Sequence, residues 1–268
     1  MLGEMLQNVR ENRPLVHCIT NYVTANDCAN LLLACGGSAI MADAPEETEE
    51  IAALCGGLVL NLGTPNPRKV EAMLRAGHEA NRLGHPVVFD PIGVGCSAFR
   101  RKASARILEQ VRLAVIRGNA SEIVALTGGY GGRRGVDADA FAASAEESAR
   151  LLAKKTGAVV VVSGKDDLVT DGKKLYRVHN GHPMMRMVTG TGCQLSAMTG
   201  AYAAANPQNL LRAALAATCA MGLCGEIAQR RLQPEEGNAA YRNHIIDTAY
   251  HLKAEDLERG ARYEFYEG

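Results

Sequence analysis

The chain carries no surplus charge: 29 lysines and arginines balance 29 aspartates and glutamates over 268 residues. No basic field exists to draw in nucleic acid and no acidic one to repel it, so nucleic-acid binding is a poor reading. Long apolar runs are also scarce. A membrane span needs roughly 20 apolar residues in succession, and even the alanine-rich stretch from Leu210 to Leu223 is broken by Arg212. The segment Met1 to Arg10 mixes charged and apolar residues at helical spacing and lacks the apolar centre and cleavage site of a secretion signal. It is expected to be part of the fold of a cytoplasmic protein, and at this length one domain over residues 1–268 is expected.

Several signatures of known chemistry are missing. The eight cysteines include no C-x-x-C pair and no companion histidine spacing, which argues against zinc. Most lie among Ala, Leu and Gly, where a reduced cysteine serves as a small apolar filler. Gly164-Lys165 and Gly172-Lys173 are followed by Asp and Lys, so neither ends a G-x-x-x-x-G-K-[ST] phosphate loop. No G-x-G-x-x-G follows the first apolar run, and no G-x-S-x-G is present.

What is present is alternation. Short apolar runs, from Leu15 to Thr20, Ser38 to Met41, Leu58 to Leu62, Pro86 to Asp90, Ala114 to Arg117 and Ala158 to Ser163, read as buried parallel strands. Segments with apolar residues three and four apart lie between them: Pro67 to Leu83, Phe99 to Val111, Ser121 to Leu126 and Asp139 to Thr156. This predicts an α/β fold. Leu168 to Val178 carries two strand-like runs around Asp171-Gly172 and predicts a hairpin, which makes the sheet mixed. Gln194 to Arg231 and Asn238 to Leu252 are expected to be helical. The loop from Gly128 to Gly135 reads as a surface loop, with a phosphate role as the competing reading.

In open parallel sheets ligands bind beyond the carboxyl ends of the strands. Here those ends are polar and glycine-rich. Gly190, Thr191 and Gly192 precede an alanine-rich helix, so their amides can point into one hollow at the positive end of its dipole, where a moving phosphoryl group would be stabilised. A plain tight turn is the competing reading. Cys193 follows on the first helical turn, where the dipole favours a thiolate; it is either a catalytic cysteine or a packing residue. Asn119 and Glu122 form a capping box, or Glu122 holds Mg²⁺ through water beside phosphates. Asp90 is a second carboxylate at that edge, or a turn former.

Five segments together are specific. Leu15 to Asn30, Gly36 to Glu47, Asp90-Pro-Ile-Gly-Val-Gly95, Arg117-Gly-Asn-Ala-Ser-Glu122 and Val188-Thr-Gly-Thr-Gly-Cys193 resemble the hydroxyethylthiazole kinases in order and spacing, over nearly the whole chain. The resemblance implies a ribokinase-like three-layer α/β/α fold with a mixed, mostly parallel sheet. It implies phosphorylation of 4-methyl-5-(2-hydroxyethyl)thiazole with ATP as cosubstrate and Mg²⁺ as metal. It also implies a homotrimer whose substrate pockets are shared between subunits. Carried over by motif, Met41, Gly190 and Asn21 would bind the thiazole, Arg117 and Ser163 would bind ATP, and Asp90 and Glu122 would serve the metal. Gly190, Thr191, Gly192 and Cys193 would be the catalytic group. Thr64-Pro-Asn66 would be lent to a neighbour's pocket. Ribokinase-like sugar kinases end the G-x-G motif with an aspartate that takes the alcohol proton; this chain has Cys193 there, as thiazole kinases do, and Ser163 where threonine is frequent.

Overall fold

Six runs of valine, isoleucine and leucine form the strands β1 (Leu15–Ile19), β2 (Ser38–Ile40), β3 (Gly57–Asn61), β4 (Val87–Asp90), β5 (Val115–Asn119) and β6 (Val159–Ser163) in the computed structural model, which describes residues 1–128 and 138–267. All six pair in parallel, in the order β2-β1-β3-β4-β5-β6. The predicted hairpin follows as β7 (Asp167–Thr170) and β8 (Lys174–Val178), antiparallel to β6 and to each other. At its turn Asp171 Oδ1 accepts the amides of Lys173 and Lys174 at 2.9 and 2.7 Å, the local bonding that makes Asp-Gly a turn former. A further strand, β9 (Tyr263–Glu267), pairs antiparallel with β8 and brings the sheet to nine strands among the described residues.

The helices are α1 (Leu2–Asn12), α2 (Ala25–Cys35), α3 (Thr48–Leu54), α4 (Pro67–Leu83), α5 (Ala98–Gln110), α6 (Ala120–Leu126), α7 (Ala138–Thr156), α8 (Thr191–Ala205), α9 (Leu210–Arg231), α10 (Asn238–His251) and α11 (Ala254–Gly260). Side chains of each buried strand alternate between two cores. Val159 and Val161 of β6 face the core shared with α1, α2, α8, α9, α10 and α11. Val160 and Val162 face the core built with α4, α5, α6 and α7. The expected three layers result.

The stretch expected to be helical from Gln194 to Arg231 is two helices, separated at Asn206-Pro207. A proline disfavours helical backbone in the residue before it, and the Asn206 side chain instead donates to the carbonyls of Met5 and Tyr202 at 3.1 and 2.9 Å. A second correction concerns membrane spanning. By length and composition α9 could cross a membrane, yet 78% of its most apolar window is buried inside the protein, as in a core helix. The loop from Gly129 to Gly135 lies outside the described residues. Seven of the eight cysteines are buried and Cys96 is exposed, in keeping with the filler reading.

Candidate active site

The carboxyl ends of the parallel strands converge on the start of α8. Asn21 just after β1, Asn61 closing β3, Asp90 closing β4, Arg117 within β5 and Ser163 closing β6 each come from a different strand. The parallel register sets them side by side: Asn61 lies opposite Asp90, and Asn119 opposite Ser163.

Their side chains form one network. Asn21 Nδ2 donates to Asn61 Oδ1 at 3.0 Å and to Cys193 Sγ at 3.4 Å. Asn61 Nδ2 donates to Asp90 Oδ2 at 2.8 Å and to Cys193 Sγ at 3.3 Å. Ser196, one turn beyond Cys193 on α8, donates to the same Asp90 oxygen at 2.7 Å. Arg117 Nη1 stands 3.8 Å from that oxygen, while Nη2 donates to Ser163 Oγ at 2.7 Å. The arginine therefore lies between the carboxylate and the hydroxyl.

Two glycines shape the opening of α8. Gly190 caps the helix with φ +85°, a left-handed backbone that other residues rarely adopt. An added Cβ there would stand 2.9 Å from Thr24 Cβ, so Gly190 lets the loop close onto the start of α2. At Gly192 an added Cβ would meet Arg117 Nη2 at 2.9 Å and Cζ at 3.0 Å, so the guanidinium packs against the turn that carries the first-turn amides. Those amides have no partner within the helix and, with Arg117, make an anion-binding hollow.

A cavity of about 700 Å³ opens from this hollow, with Arg117, Ser163, Thr191 and Gly192 at one end. Its lining also includes Lys165, Asp166 and Asp167, the connection from His179 to Pro183, and Thr218, Met221 and Gly222 of α9. Burial pushes Asp167 up to about 6, against the pull of the Gly164 amide and Arg117. A smaller concavity of about 560 Å³ is lined by α7 alone, between Ala143 and Lys154, and brings no second element's polar groups together.

The carboxylates differ from one another. Asp90 is fully buried, and burial pushes its carboxyl up; Glu122 nearby adds to the rise, while Arg117, Ser196 and Asn61 oppose it. Its Oδ1 has no hydrogen-bond partner among the described residues. Glu122 realises the capping box: Asn119 Oδ1 accepts its amide at 3.0 Å, and its Oε2 accepts the Asn119 amide at 2.8 Å. Glu122 Oε1 accepts the Gly93 amide at 2.9 Å. Among the described residues no group of three or more His, Cys, Asp or Glu side chains gathers as a metal cage. Mg²⁺ does not need one, because it keeps several waters and bridges phosphates with one or two carboxylates. An unpartnered, buried Asp90 oxygen beside an anion hollow fits that mode.

The surroundings of Cys193 act against its ionisation. Burial pushes its thiol up and Asp90 pushes it further, and hydrogen bonds with Thr24, Asn61 and Asn21 recover only part of the rise. Loss of water on burial therefore favours the thiol, against the thiolate preference expected from a place on the first helical turn. Met41 follows the edge strand β2 and is half-buried, outside the network just described. The sequence reading gave no role to Asn61 or Ser196. Asn61 was signalled as the polar end of an apolar strand, whereas Ser196 and the 179–186 wall had no local signal, since their place depends on helix packing.

A mostly parallel sheet of this order, with a core helix opening at its carboxyl edge, is the three-layer fold of the ribokinase-like small-molecule kinases. Pyridoxal kinase from Staphylococcus aureus, solved in complex with AMP-PCP and pyridoxal, has the same fold, with a TM-score of 0.65 at 14% identity over 95% of this chain and 98% of that one. The model of the hydroxyethylthiazole kinase family matches residues 6–255. A hydroxyethylthiazole kinase of Clostridium acetobutylicum is 51% identical over 99% of this chain and all of its own length. The structure of a hydroxyethylthiazole kinase protein from Pyrococcus horikoshii OT3 superposes with a TM-score of 0.89 at 35% identity, covering 99% of both chains. The chain belongs to the hydroxyethylthiazole kinase family.

Proposed function

We propose that the chain, acting as one domain over residues 1–268, transfers the terminal phosphoryl group of ATP to the hydroxyl of 4-methyl-5-(2-hydroxyethyl)thiazole, a cytoplasmic step of thiamine salvage. The observation that carries this is the cavity of about 700 Å³ that ends on Arg117, Ser163 and Gly192, one residue before Cys193. Arg117 and Ser163 bind the phosphates of ATP. The amides of Gly190, Thr191 and Gly192 hold the transferring group, whose charge spreads over its equatorial oxygens in a loose transition state. Asp90 and Glu122 would hold Mg²⁺, which supplies neutralisation of phosphate charge when bound. Asn21, Met41 and Gly190 bind the thiazole.

Cys193, beside two asparagine amides, orients the substrate hydroxyl, whose proton passes to an oxygen of the transferred phosphoryl group. A loose transition state needs little help from a base, since the alcohol proton is lost late. Cys193→Ala is therefore expected to lower kcat by no more than about tenfold, well short of the ~10² to 10⁴ that general acid-base catalysis supplies. A larger fall in steady-state turnover would restore a proton-accepting role.

A homotrimer with shared pockets is part of the same proposal. Tyr22 and Val23 directly follow Asn21 and are 80% and 56% exposed. An exposed apolar pair beside a substrate-binding residue is the kind of surface that a neighbouring subunit covers. Thr64-Pro-Asn66, after β3, would be lent to such a neighbour.

The deciding assay offers the purified protein ATP with either the thiazole alcohol or hydroxymethylpyrimidine and follows ADP release. Turnover with the thiazole alone is expected. Turnover with the pyrimidine alone would reassign the substrate, and ATP binding without ADP release from either would make the protein a nucleotide sensor. ADP-linked dehydration of a cofactor hydrate, in place of phosphoryl transfer, would make it a lyase.

A further inference from the structure

One wall of the nucleotide cavity is a short connection with little to hold it. His179, Asn180 and Gly181 leave β8 and lead to Pro183, and Gly181 has φ +134°. Such a segment would sample many shapes by itself, and a ligand binding to it would have to order it.

The structure fixes it from behind. Glu226 of α9 points its Oε1 at the wall, accepting the Gly181 amide at 2.8 Å and Asn180 Nδ2 at 3.1 Å. Arg262, just before β9, closes the clamp with Nη1 on Glu226 Oε2 and Nη2 on Oε1, both at 2.9 Å. Arg262 Nη2 also donates to the His179 carbonyl at 2.9 Å, and the Arg262 amide donates to Asn180 Oδ1 at 2.8 Å. Asn180 Nδ2 reaches the Gly260 carbonyl at 2.9 Å. One turn before Glu226 on α9, an added Cβ at Gly222 would lie 2.7 Å from the Asn180 backbone, so the wall rests directly on the helix. Burial pushes the Glu226 carboxyl up, but the bonds from Arg262, Gly181 and Asn180 outweigh it and hold the group below the usual carboxylate range.

Neither Glu226 nor Arg262 lines the cavity itself. We propose that Glu226, locked by Arg262, is a positioning residue for ATP, holding the Asn180–Gly181 wall in the shape that grips the nucleotide. This rests on the reading of the cavity as the ATP site. The segment from Gly260 to β9 is thereby part of the nucleotide site, although it lies far along the chain from the phosphate-binding residues.

The test is steady-state kinetics on Glu226→Gln, Arg262→Met and Arg262→Lys, with Ser163→Ala as a marker of the cavity and thermal unfolding of each. Loss of a charge-assisted bond in the clamp is expected to raise KM for ATP about tenfold. The KM for the thiazole alcohol and kcat at saturating ATP should each stay within about twofold. Arg262→Lys, which keeps a charge on Glu226, should recover part of the loss that Arg262→Met shows. If Glu226→Gln does not fold, the half-exposed Arg262 pair decides alone. An unchanged KM for ATP in the clamp variants while Ser163→Ala raises it would overturn the clamp and leave the cavity reading standing. An unchanged KM in Ser163→Ala as well would overturn both. A parallel fall in Tm and kcat with both KM values shifted, and no recovery in Arg262→Lys, would reduce Glu226 to a structural ion pair and overturn the proposal.

Discussion

Asp90→Asn should lower kcat by about 10²- to 10³-fold, the scale of removing a group that organises transition-state charge, while leaving Tm unchanged or higher. The two effects separate because Asp90 is fully buried and burial pushes its carboxyl above the ordinary value. A raised carboxyl means that the folded chain binds the proton more tightly than the unfolded one. The ionised form therefore costs stability at neutral pH, and that cost disappears as pH falls through the folded-state value. Asparagine removes the charge but keeps an oxygen that can accept from Asn61 and Ser196, as Asp90 Oδ2 does at 2.8 and 2.7 Å. Turnover and thermal unfolding on the same preparation check this. Wild-type turnover would remove Asp90 from the chemistry, and a Tm several degrees lower would show that the charge supports the fold.

Gly190→Ala should be the most damaging single methyl at any of the described glycines. Its left-handed backbone costs a non-glycine residue about 1–2 kcal/mol, and the new Cβ would stand 2.9 Å from Thr24 Cβ and closer still to its methyl. Thr24 cannot yield without consequence. Its amide donates to Asn21 Oδ1 at 3.1 Å, and Asn21 in turn contacts Cys193, so a shift there moves the network beside the transferring group. Overpacking of this kind is expected to take about 2–4 kcal/mol in total from stability. A displacement near 1 Å at the reacting centre costs about 10² in kcat/KM. Thr24→Ser removes the obstructing methyl, so the double variant should regain part of both losses. Full activity in Gly190→Ala, measured with ATP and the thiazole alcohol, would show that the helix start tolerates a different shape.

Much of the frame could be read from the chain because each parallel strand is buried on both faces and so is written as an unbroken apolar run, Val159 to Val162 most clearly. Helix α2 escaped the reading: its Leu31-Leu32-Leu33 run hides the helical period. Strand β9 escaped for the opposite reason, since it is exposed along its whole length and carries no buried face to imprint alternation. At the site, Asn21, Asp90, Arg117, Ser163 and Cys193 were all legible as polar strand ends or as a helix start, and the structure brings them together. The burial that raises the Cys193 thiol was not legible, because it depends on how much water the folded site excludes. The Glu226 and Arg262 pairing was also invisible, joining residues 36 positions apart through a wall that neither adjoins in sequence.

The five side chains at the head of α8 each arrive on a separate ribbon of the sheet, so the site reports on the alignment of all of them at once. Sliding any one ribbon by a single residue would turn its contributed group to the opposite side. A preparation with full helical and strand content can for that reason be catalytically silent, and enzymatic activity is the more searching probe of whether this chain has reached its correct form.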